Sequence, residues 1–532
     1  MMRIGESRWR IGWRTGVAVA AVWAASGLVR ADGLLPEKPP GKFFPLTAEN
    51  HQGAASFRKG QPVLGTSYFY WYDVDTKAHI VDGDGTDALT THPADMKDVS
   101  YKRPSWHAAQ LRDIMAAGID FLMPVYWGVP GKYNGWSFAG LPPLVAAHDA
   151  LANEGLHPPM IGLFYDTSIL QHNGFNADGS SLYVDLRTEL GKGFFYTAMR
   201  DFFSLIPPSK WARVDGRPIV FLYAAGFAKA QEPAQLDDVR RRFREDFGTD
   251  LFLVKMRDWQ GPADATYQWG GAVHLQIDPE VAAVGPGYDH TAVPGRKPLI
   301  VERRDGQTYA DRWSRLLRLS PDRRPWIIHV ETWNEWHEGT DIAASQEYGR
   351  SYIVLTRVFA DLWHTGLQVK PQGIYSKAAE VSWAPERSRG ITVGESLGDG
   401  LWKPETLGNV QAVVSQANAV SPSTRYLYFA VDDTFAFDLT GESMELSVTY
   451  RDAGCASFGV EYDNVDPNAS VRDGAFRAGG GVQLTGSGEW KTAKFVLPGC
   501  RFINRCNGAD FRFVVGPGEM ALAVSKLTLR RK

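Results

Sequence analysis

Short apolar runs of β-type composition alternate with amphipathic, helix-type stretches between about residues 61 and 365. Leu111, Ile114 and Met115 have helical spacing, Ser105 before them has the character of an N-cap, and Gly118 ends the helix. The β-type runs cover residues 63–72, 119–127, 160–165, 218–223, 251–256, 265–269, 281–288 and 326–335. Eight such runs separated by helices predict an α/β fold of the (β/α)8 TIM-barrel type.

An open, doubly wound parallel sheet shares this alternation and is the alternative fold. It usually carries a glycine-rich phosphate turn after its first strand, whereas the turn here reads Trp71-Tyr72-Asp73-Val74-Asp75. No GxGxxG or Walker A pattern stands at a strand–helix junction. The barrel is therefore the favoured interpretation.

The pattern changes in the last third of the chain, over residues 388–532. Met444, Leu446, Val448 and Tyr450 alternate with polar residues, and glycine-rich turns separate several such runs. Alternation of this kind predicts an antiparallel β-sandwich. A sandwich attached to an exported barrel could bind carbohydrate or could serve as a packing domain, and the sequence leaves both open.

The first residues predict a secretory signal peptide, residues 1–31. A basic head is followed by the uncharged apolar run 16–29 and then by Val29-Arg30-Ala31, which is typical of a cleavage site. A proline-rich linker, residues 32–60, leads to the barrel at 61–370. We therefore expect a secreted or periplasmic protein without a membrane span.

Composition narrows the possible partners. The net charge of −3 gives no reason to expect nucleic-acid binding. The chain has 18 tryptophans and is 12% aromatic, which suits stacking against the apolar faces of sugar rings. Cys500 and Cys506 are close enough in sequence to form a disulfide, which would leave Cys455 free. Oligomeric state is left open.

Reactive groups of barrel enzymes lie at the carboxyl ends of the strands. Several predicted strands end in aromatic and carboxylate residues, which can stack on sugars and accept hydrogen bonds from hydroxyls. The substrate-binding candidates at these ends are Tyr70, Trp71, Tyr72, Asp73, Tyr126, Trp127, Tyr165, Asp166, Asp258, Trp259 and Tyr288.

The densest signal follows the eighth run, where Glu331 begins a stretch rich in glutamate and tryptophan. Glu335 and Glu338, three residues apart, can converge once the chain turns, and two carboxyls in different environments can divide the roles of acid and base. Pairing with the nearby arginines and a metal site are the alternatives, although the spacing matches no zinc motif. The other candidates here are Trp333, Asn334, Trp336 and His337.

The string Asn334-Glu335-Trp336-His337-Glu338-Gly339-Thr340 resembles the signature of glycoside hydrolase family 99, the endo-α-mannosidase-like enzymes, whose barrel is shared by family 71. The aromatic opening strand Tyr68-Phe69-Tyr70-Trp71-Tyr72 is similar as well. In layout the chain is similar to secreted bacterial proteins that pair such a barrel with a β-sandwich. Asp73 departs from the glycine usual in the family, so the preferred sugar is left open.

The resemblance implies roles for both glutamates. Glu338 is expected to protonate the departing oxygen and later to activate water, and Glu335 to assist attack by the sugar's own 2-hydroxyl through a 1,2-anhydro intermediate. The expected function is a secreted glycoside hydrolase that cleaves α-linkages in a polysaccharide or glycan with retention, with endo action favoured and without a cofactor or metal. A non-catalytic carbohydrate-binding protein on a barrel scaffold is the alternative.

Overall fold

The structure is a computed structural model that describes residues 35–394, 399–417, 425–469, 471, 474–516 and 521–532. The predicted signal peptide, residues 1–31, lies outside the described residues. The chain divides into two compact units. The first comprises residues up to 273 together with 279–310 and 325–365, and the second comprises 274–278, 311–324 and 366–532.

Residues 35–365 contain short strands and seven α-helices. The strands are β1 Val63–Tyr68, β2 Phe121–Tyr126, β3 Met160–Ile161, β4 Leu163–Tyr165, β5 Arg213–Val214, β6 Arg217–Leu222, β7 Phe252–Met256, β8 Ala265–Tyr267, β9 Gln276–Ile277, β10 Val281–Val284, β11 Tyr288–Asp289, β12 Ile300–Val301 and β13 Ile327–Val330. The helices are α1 Pro104–Ala116, α2 Trp136–Ala139, α3 Leu141–Asn153, α4 Glu189–Leu205, α5 Gln235–Phe247, α6 Gln307–Arg318 and α7 Ser351–His364.

The main sheet of the first unit is parallel and nearly closed. Its hydrogen-bonded order is β8-β7-β6-β4-β2-β1-β13-β10, and the outer strands β8 and β10 contact each other. Every residue of β1 and β2 is buried, as expected for strands covered on both faces. Gly65 in β1 permits this packing, because a Cβ there would lie 2.2 Å from the ring of Phe121. The prediction of an α/β protein with a barrel-like sheet is confirmed.

Each predicted β-run contains a strand of this sheet, but the helices do not follow a complete eightfold alternation. The connections 257–264 and 268–280 contain no α-helix. The first connection is too short, since a helical crossover between parallel strands needs a dozen or more residues, and the second contains the short strand β9 instead. The predicted N-cap is also shifted: α1 begins at Pro104, after Arg103, because proline is well suited to the first helical position.

Two antiparallel sheets make up most of the second unit. Their strands are β14 Glu380–Ala384, β15 Arg387–Arg389, β16 Ile391–Val393, β17 Trp402–Leu407, β18 Val410–Ser415, β19 Tyr426–Val431, β20 Glu442–Arg451, β21 Ser457–Tyr462, β22 Arg477–Gln483, β23 Trp490–Cys500, β24 Phe511–Val515 and β25 Ala523–Arg531. One sheet runs β15-β14-β25-β18-β17, with β20 joining β25 to β23, and the other runs β16-β19-β24-β21-β22. Side chains from both sheets share one core.

The cysteines of this unit are unpaired. Cys455, Cys500 and Cys506 are all buried and free, so the disulfide that the sequence allowed between Cys500 and Cys506 does not form. The Sγ of Cys500 faces the carbonyl of Leu497 and that of Cys506 faces the carbonyl of Ala475, in separate surroundings. Among the described helices, none has the length and apolar character needed to cross a membrane.

Candidate active site

Residues 331–341 follow β13 at the carboxyl edge of the sheet, and we call them the glutamate segment. Its glutamates are Glu331, Glu335 and Glu338. Asn334 fastens the segment to the end of β1: its side-chain N–H donates to the Phe69 carbonyl (2.7 Å), and its amide oxygen accepts from the Phe69 N–H (2.8 Å). Asn334 is fully buried, so these bonds are shielded from water.

The long loop after β1 and the residue Arg303 hold the rest of the glutamate segment. The N–H groups of Thr90 and Thr91 donate to the Trp336 carbonyl at 2.9 and 3.1 Å. Arg303 donates to the Gly339 carbonyl (3.0 Å) and stacks over aromatic rings of the first unit. The backbone that carries the glutamates is therefore fixed from two sides.

Glu335 is buried and paired with a histidine. Its Oε1 lies 2.7 Å from His337 Nδ1, and its Oε2 has no hydrogen-bond partner. Burial raises the pKa of the Glu335 carboxyl, and His337 offsets only part of that effect. Burial lowers the pKa of His337, but the adjacent Glu335 more than compensates and the net shift is upward. Glu335 is thus a desolvated carboxyl held in one orientation.

Glu338 is more accessible, with 20% of its side chain exposed against 5% for Glu335. Arg296, from the loop between β11 and β12, donates to Glu338 Oε1 and also to the Tyr288 hydroxyl, which is 3.2 Å away. Burial lowers the pKa of Arg296, but the interaction with Glu338 outweighs burial, and the net shift is upward. A permanent counter-charge therefore lies beside Glu338.

Glu331 lies deepest of the three, with 1% of its surface exposed. Its Oε2 accepts hydrogen bonds from the N–H groups of Gly270 (2.8 Å) and Gly271 (2.7 Å). Burial raises the pKa of this carboxyl to about 8 against the effect of those bonds, and the charge of Glu338 raises it further.

The three carboxyls share one electrostatic environment at the carboxyl edge of the sheet. The charge of Glu338 raises the pKa of both Glu335 and Glu331. It acts in the same direction on Tyr223, which follows β6, and on Tyr288. Arg296 also bonds both Tyr288 and Glu338, so residues after β11 and β13 contribute to one site.

Aromatic rings flank the glutamates. Trp71 stacks on His79, with ring centroids 4.6 Å apart and planes 7° from parallel. Trp71 also contacts the rings of Trp136 and His337, both at 5.7 Å, and Trp136 lies 6.5 Å from Trp127. Trp71 and Trp127 are partly exposed, which leaves apolar surface of the kind that packs against sugar rings.

The structure distributes the sequence candidates among three situations. Those that belong to the glutamate segment or interact directly with its side chains are Trp71, Tyr72, Tyr288, Glu335, His337 and Glu338. Those that are buried in the interior of the first unit are Tyr70, Tyr126, Tyr165, Trp259, Trp333, Asn334 and Trp336. Those engaged in local bonds at other strand ends are Asp73 with Lys102, Asp166 and Trp127 with Ser168, and Asp258 with the Ala225 N–H.

Sequence reasoning missed Arg296, His79 and Trp136 because they come from two loops and the start of α2, all distant in sequence from the glutamates. Glu331 begins the stretch that the sequence singles out, but it is not among the predicted site residues. Its position directly after an apolar strand and beside two further glutamates was the available signal. Within the described ranges, no group of three His, Cys, Asp or Glu side chains is arranged to hold a metal ion.

Asp73 is predicted to stabilise the long loop that holds the glutamate segment. It is buried and accepts hydrogen bonds from Lys102, Ser100 and Thr76, each at 2.7 Å. Burial raises the pKa of Asp73, but these donors outweigh it and lower the pKa to about 2. Asp73→Asn is expected to reduce the free energy of unfolding by about 1–3 kcal/mol at neutral pH.

The pH dependence of that loss follows from the sign of the shift. Because the folded-state pKa is below the unfolded value of about 3.9, the stabilisation is complete above pH 4 and disappears as the pH falls towards 2. Urea unfolding of Asp73→Asn and of the exposed ion-pair control Asp75→Asn at several pH values measures this. Equal losses for both variants at neutral pH would contradict the assignment.

The fold and the site together define an α/β protein with a nearly closed parallel sheet and a cluster of glutamates at its carboxyl edge. A family model described as "Domain of unknown function (DUF5010)" matches residues 50–374, more than half of the chain. The chain belongs to this family. No curated protein sequence matches it.

Similar solved structures include the GH99 endo-alpha-mannosidase from Bacteroides thetaiotaomicron, with 14% identity, 59% of this chain and 100% of that chain covered, and a TM-score of 0.40. A structure described as "Glycoside hydrolase-like protein" has 16% identity over 60% of this chain and 99% of that one, with a TM-score of 0.38. The K1 cleaved adhesin domain of Lys-gingipain from Porphyromonas gingivalis W83 has 14% identity over 29% of this chain and 98% of that domain, with a TM-score of 0.20.

Proposed function

We propose that this protein is an exported glycoside hydrolase that cleaves α-glycosidic bonds in a polysaccharide or glycan with retention of configuration. The observation that carries the proposal is the unequal environment of two glutamates in one short segment. Glu335 is buried against His337, whereas Glu338 is partly exposed beside Arg296. Cleavage of a glycosidic bond needs two carboxyls that differ in this way.

In the first step Glu335 acts as the base. A raised pKa makes its carboxylate a stronger proton acceptor than a solvated one. It removes the proton from the 2-hydroxyl of the sugar, whose oxygen attacks the anomeric carbon while Glu338 donates a proton to the departing oxygen. The bond to the leaving sugar breaks, and a 1,2-anhydro sugar remains.

In the second step Glu338, now a carboxylate, accepts a proton from water, which opens the anhydro sugar at the anomeric carbon. Arg296 supplies a counter-charge for this carboxylate. The proton taken up by Glu335 returns to the 2-hydroxyl oxygen. Two inversions at the same carbon give retention. The partly exposed rings of Trp71 and Trp127 supply surfaces on which neighbouring sugars can stack.

The test is a substrate screen with α-mannans, α-glucans and arabinans, in which products are separated by chromatography and the anomeric proton is followed by NMR. We expect reducing ends from an α-linked substrate, with the α-anomer formed first. Oligosaccharides of several lengths would indicate endo action. Glu338→Gln serves as the inactive reference, and Glu245→Gln, at an exposed helix position, is the matched control.

Binding of a glycan without release of reducing ends would replace this proposal with that of a carbohydrate-binding protein. Initial formation of the β-anomer from an α-linkage would overturn retention and with it the roles given to the two glutamates.

A further inference from the structure

Glu331 has no role in the scheme above, although it occupies the strand end at which barrel enzymes place reactive groups. Its Oε2 is fixed by the amides of Gly270 and Gly271, and its Oε1 has no hydrogen-bond partner. At 1% exposure it is the least accessible of the three glutamates, and its neighbours separate it from solvent. Any influence on the reaction must therefore pass through its neighbours.

The groups that face Glu331 are neutral or negative. His329 of β13 lies 3.6 Å from its Oε1, with both ring nitrogens unpartnered, and burial lowers the pKa of His329 to about 3, so the ring is uncharged at neutral pH. Tyr267 of β8, Tyr223 after β6 and Glu338 also interact with Glu331. None of these groups carries a positive charge.

A buried carboxylate without a cationic partner is costly, and such a group takes up a proton instead. The amides of Gly270, Gly271 and Ala272 act in the opposite direction and lower the pKa, but burial outweighs them. Their geometry is compatible with the neutral form, because a carboxylic acid can accept N–H groups at its carbonyl oxygen, Oε2, and carry its proton on Oε1. Burial is also the main cause that raises the pKa of Glu331 to about 8.

We propose that Glu331 is a positioning residue that remains a neutral carboxylic acid throughout the reaction. In this form it holds the Gly270–Gly271 turn against the glutamate segment and adds no negative charge beside Glu335 and Glu338. Ionised Glu331 would place a further negative charge next to Glu335 and Glu338. That charge would raise the pKa of both carboxyls and so change which of them carries a proton. The catalytic part of this inference rests on the proposed function, whereas the protonation state does not.

The protonation state can be measured without any substrate. The infrared difference spectrum between wild type and Glu331→Gln at pH 6 is expected to contain a carboxylic C=O band of the wild type that shifts in D2O. Glu245→Gln, which removes a solvated carboxylate, should give carboxylate bands only. Carboxylate bands in the Glu331 difference spectrum would overturn the proposal.

Thermal stability gives a second measurement. The folded-state pKa of Glu331 is above the unfolded value of about 4.3, so between pH 4 and 8 the folded protein binds a proton that the unfolded chain lacks. The contribution of Glu331 to the free energy of unfolding therefore decreases as the pH rises over this range. As the pH rises over this range, the melting temperature of Glu331→Gln is expected to increase relative to that of the wild type. A difference that is constant with pH, or that moves in the opposite direction, would contradict a neutral Glu331.

Kinetics test the positioning role. At pH 6 Glu331→Gln, which keeps the neutral shape and the acceptor oxygen, is expected to change kcat by less than about tenfold and to retain activity further into alkaline pH than the wild type. A larger loss of kcat at pH 6 would overturn the positioning role. So would a decline of activity at alkaline pH that is the same in the variant and in the wild type. If no substrate is cleaved, the proposed function fails, and the infrared and thermal results still decide the protonation of Glu331.

Discussion

Glu338→Gln is expected to lower kcat on natural glycans by about 10²–10⁴, the usual contribution of a general acid or base. The glutamine keeps the shape of the side chain but cannot transfer a proton to the departing oxygen. On aryl glycosides with acidic leaving groups the first step needs little protonation, so the loss in that step should be much smaller. Steady-state and burst kinetics over a series of leaving groups measure the difference.

Glu335→Gln separates the two roles. Because Glu335 acts on the 2-hydroxyl, its loss is expected to reduce kcat by a similar factor of about 10²–10⁴ whatever the leaving group. Glu245→Gln should match the wild type on every substrate. If both active-site variants depended on the leaving group in the same way, the division of roles would be wrong.

Asn334→Leu is expected to lower the free energy of unfolding by about 2–6 kcal/mol, since each buried polar group left unsatisfied costs about 1–3 kcal/mol. Asn334 satisfies both the N–H and the carbonyl of Phe69, and leucine of similar size satisfies neither. Urea unfolding measures the change, with Asn153→Leu, at an exposed helix end, as the control. A loss of less than about 1 kcal/mol would show that the backbone finds other partners.

The sheet could be predicted from the sequence because parallel strands buried on both faces are nearly continuous apolar runs. β1, β2 and β13 illustrate this, since every residue in them is buried. The connection after β7 is too short for a helix, whereas the connection after β8 is long enough but contains the short strand β9, which the repeating pattern of the sequence does not show. The spacing of Cys500 and Cys506 allowed a disulfide, but spacing does not determine where two sulfurs point.

The glutamates could be found because they occupy one short stretch after an apolar strand. Their partners could not, since Arg296 reaches Glu338 from a loop more than thirty residues earlier and His79 stacks on Trp71 only after the long loop has folded. Asn334 shows a role that the sequence does not reveal. The sequence suggests a sugar ligand, and the structure places its buried side chain against the backbone of Phe69, whose N–H and carbonyl it both bonds.

The attachment of the glutamate segment to the long loop after β1 has a consequence for how substrate range can be altered. Insertions near Thr90 and Thr91 would displace the Trp336 carbonyl and, with it, the reactive carboxyls. The loop between β11 and β12 presents Arg296 to Glu338 through a side chain, so its length and sequence can vary while the glutamate backbone stays in place. Libraries designed for new specificities should therefore randomise residues 290–299 other than Arg296 and leave residues 86–93 intact.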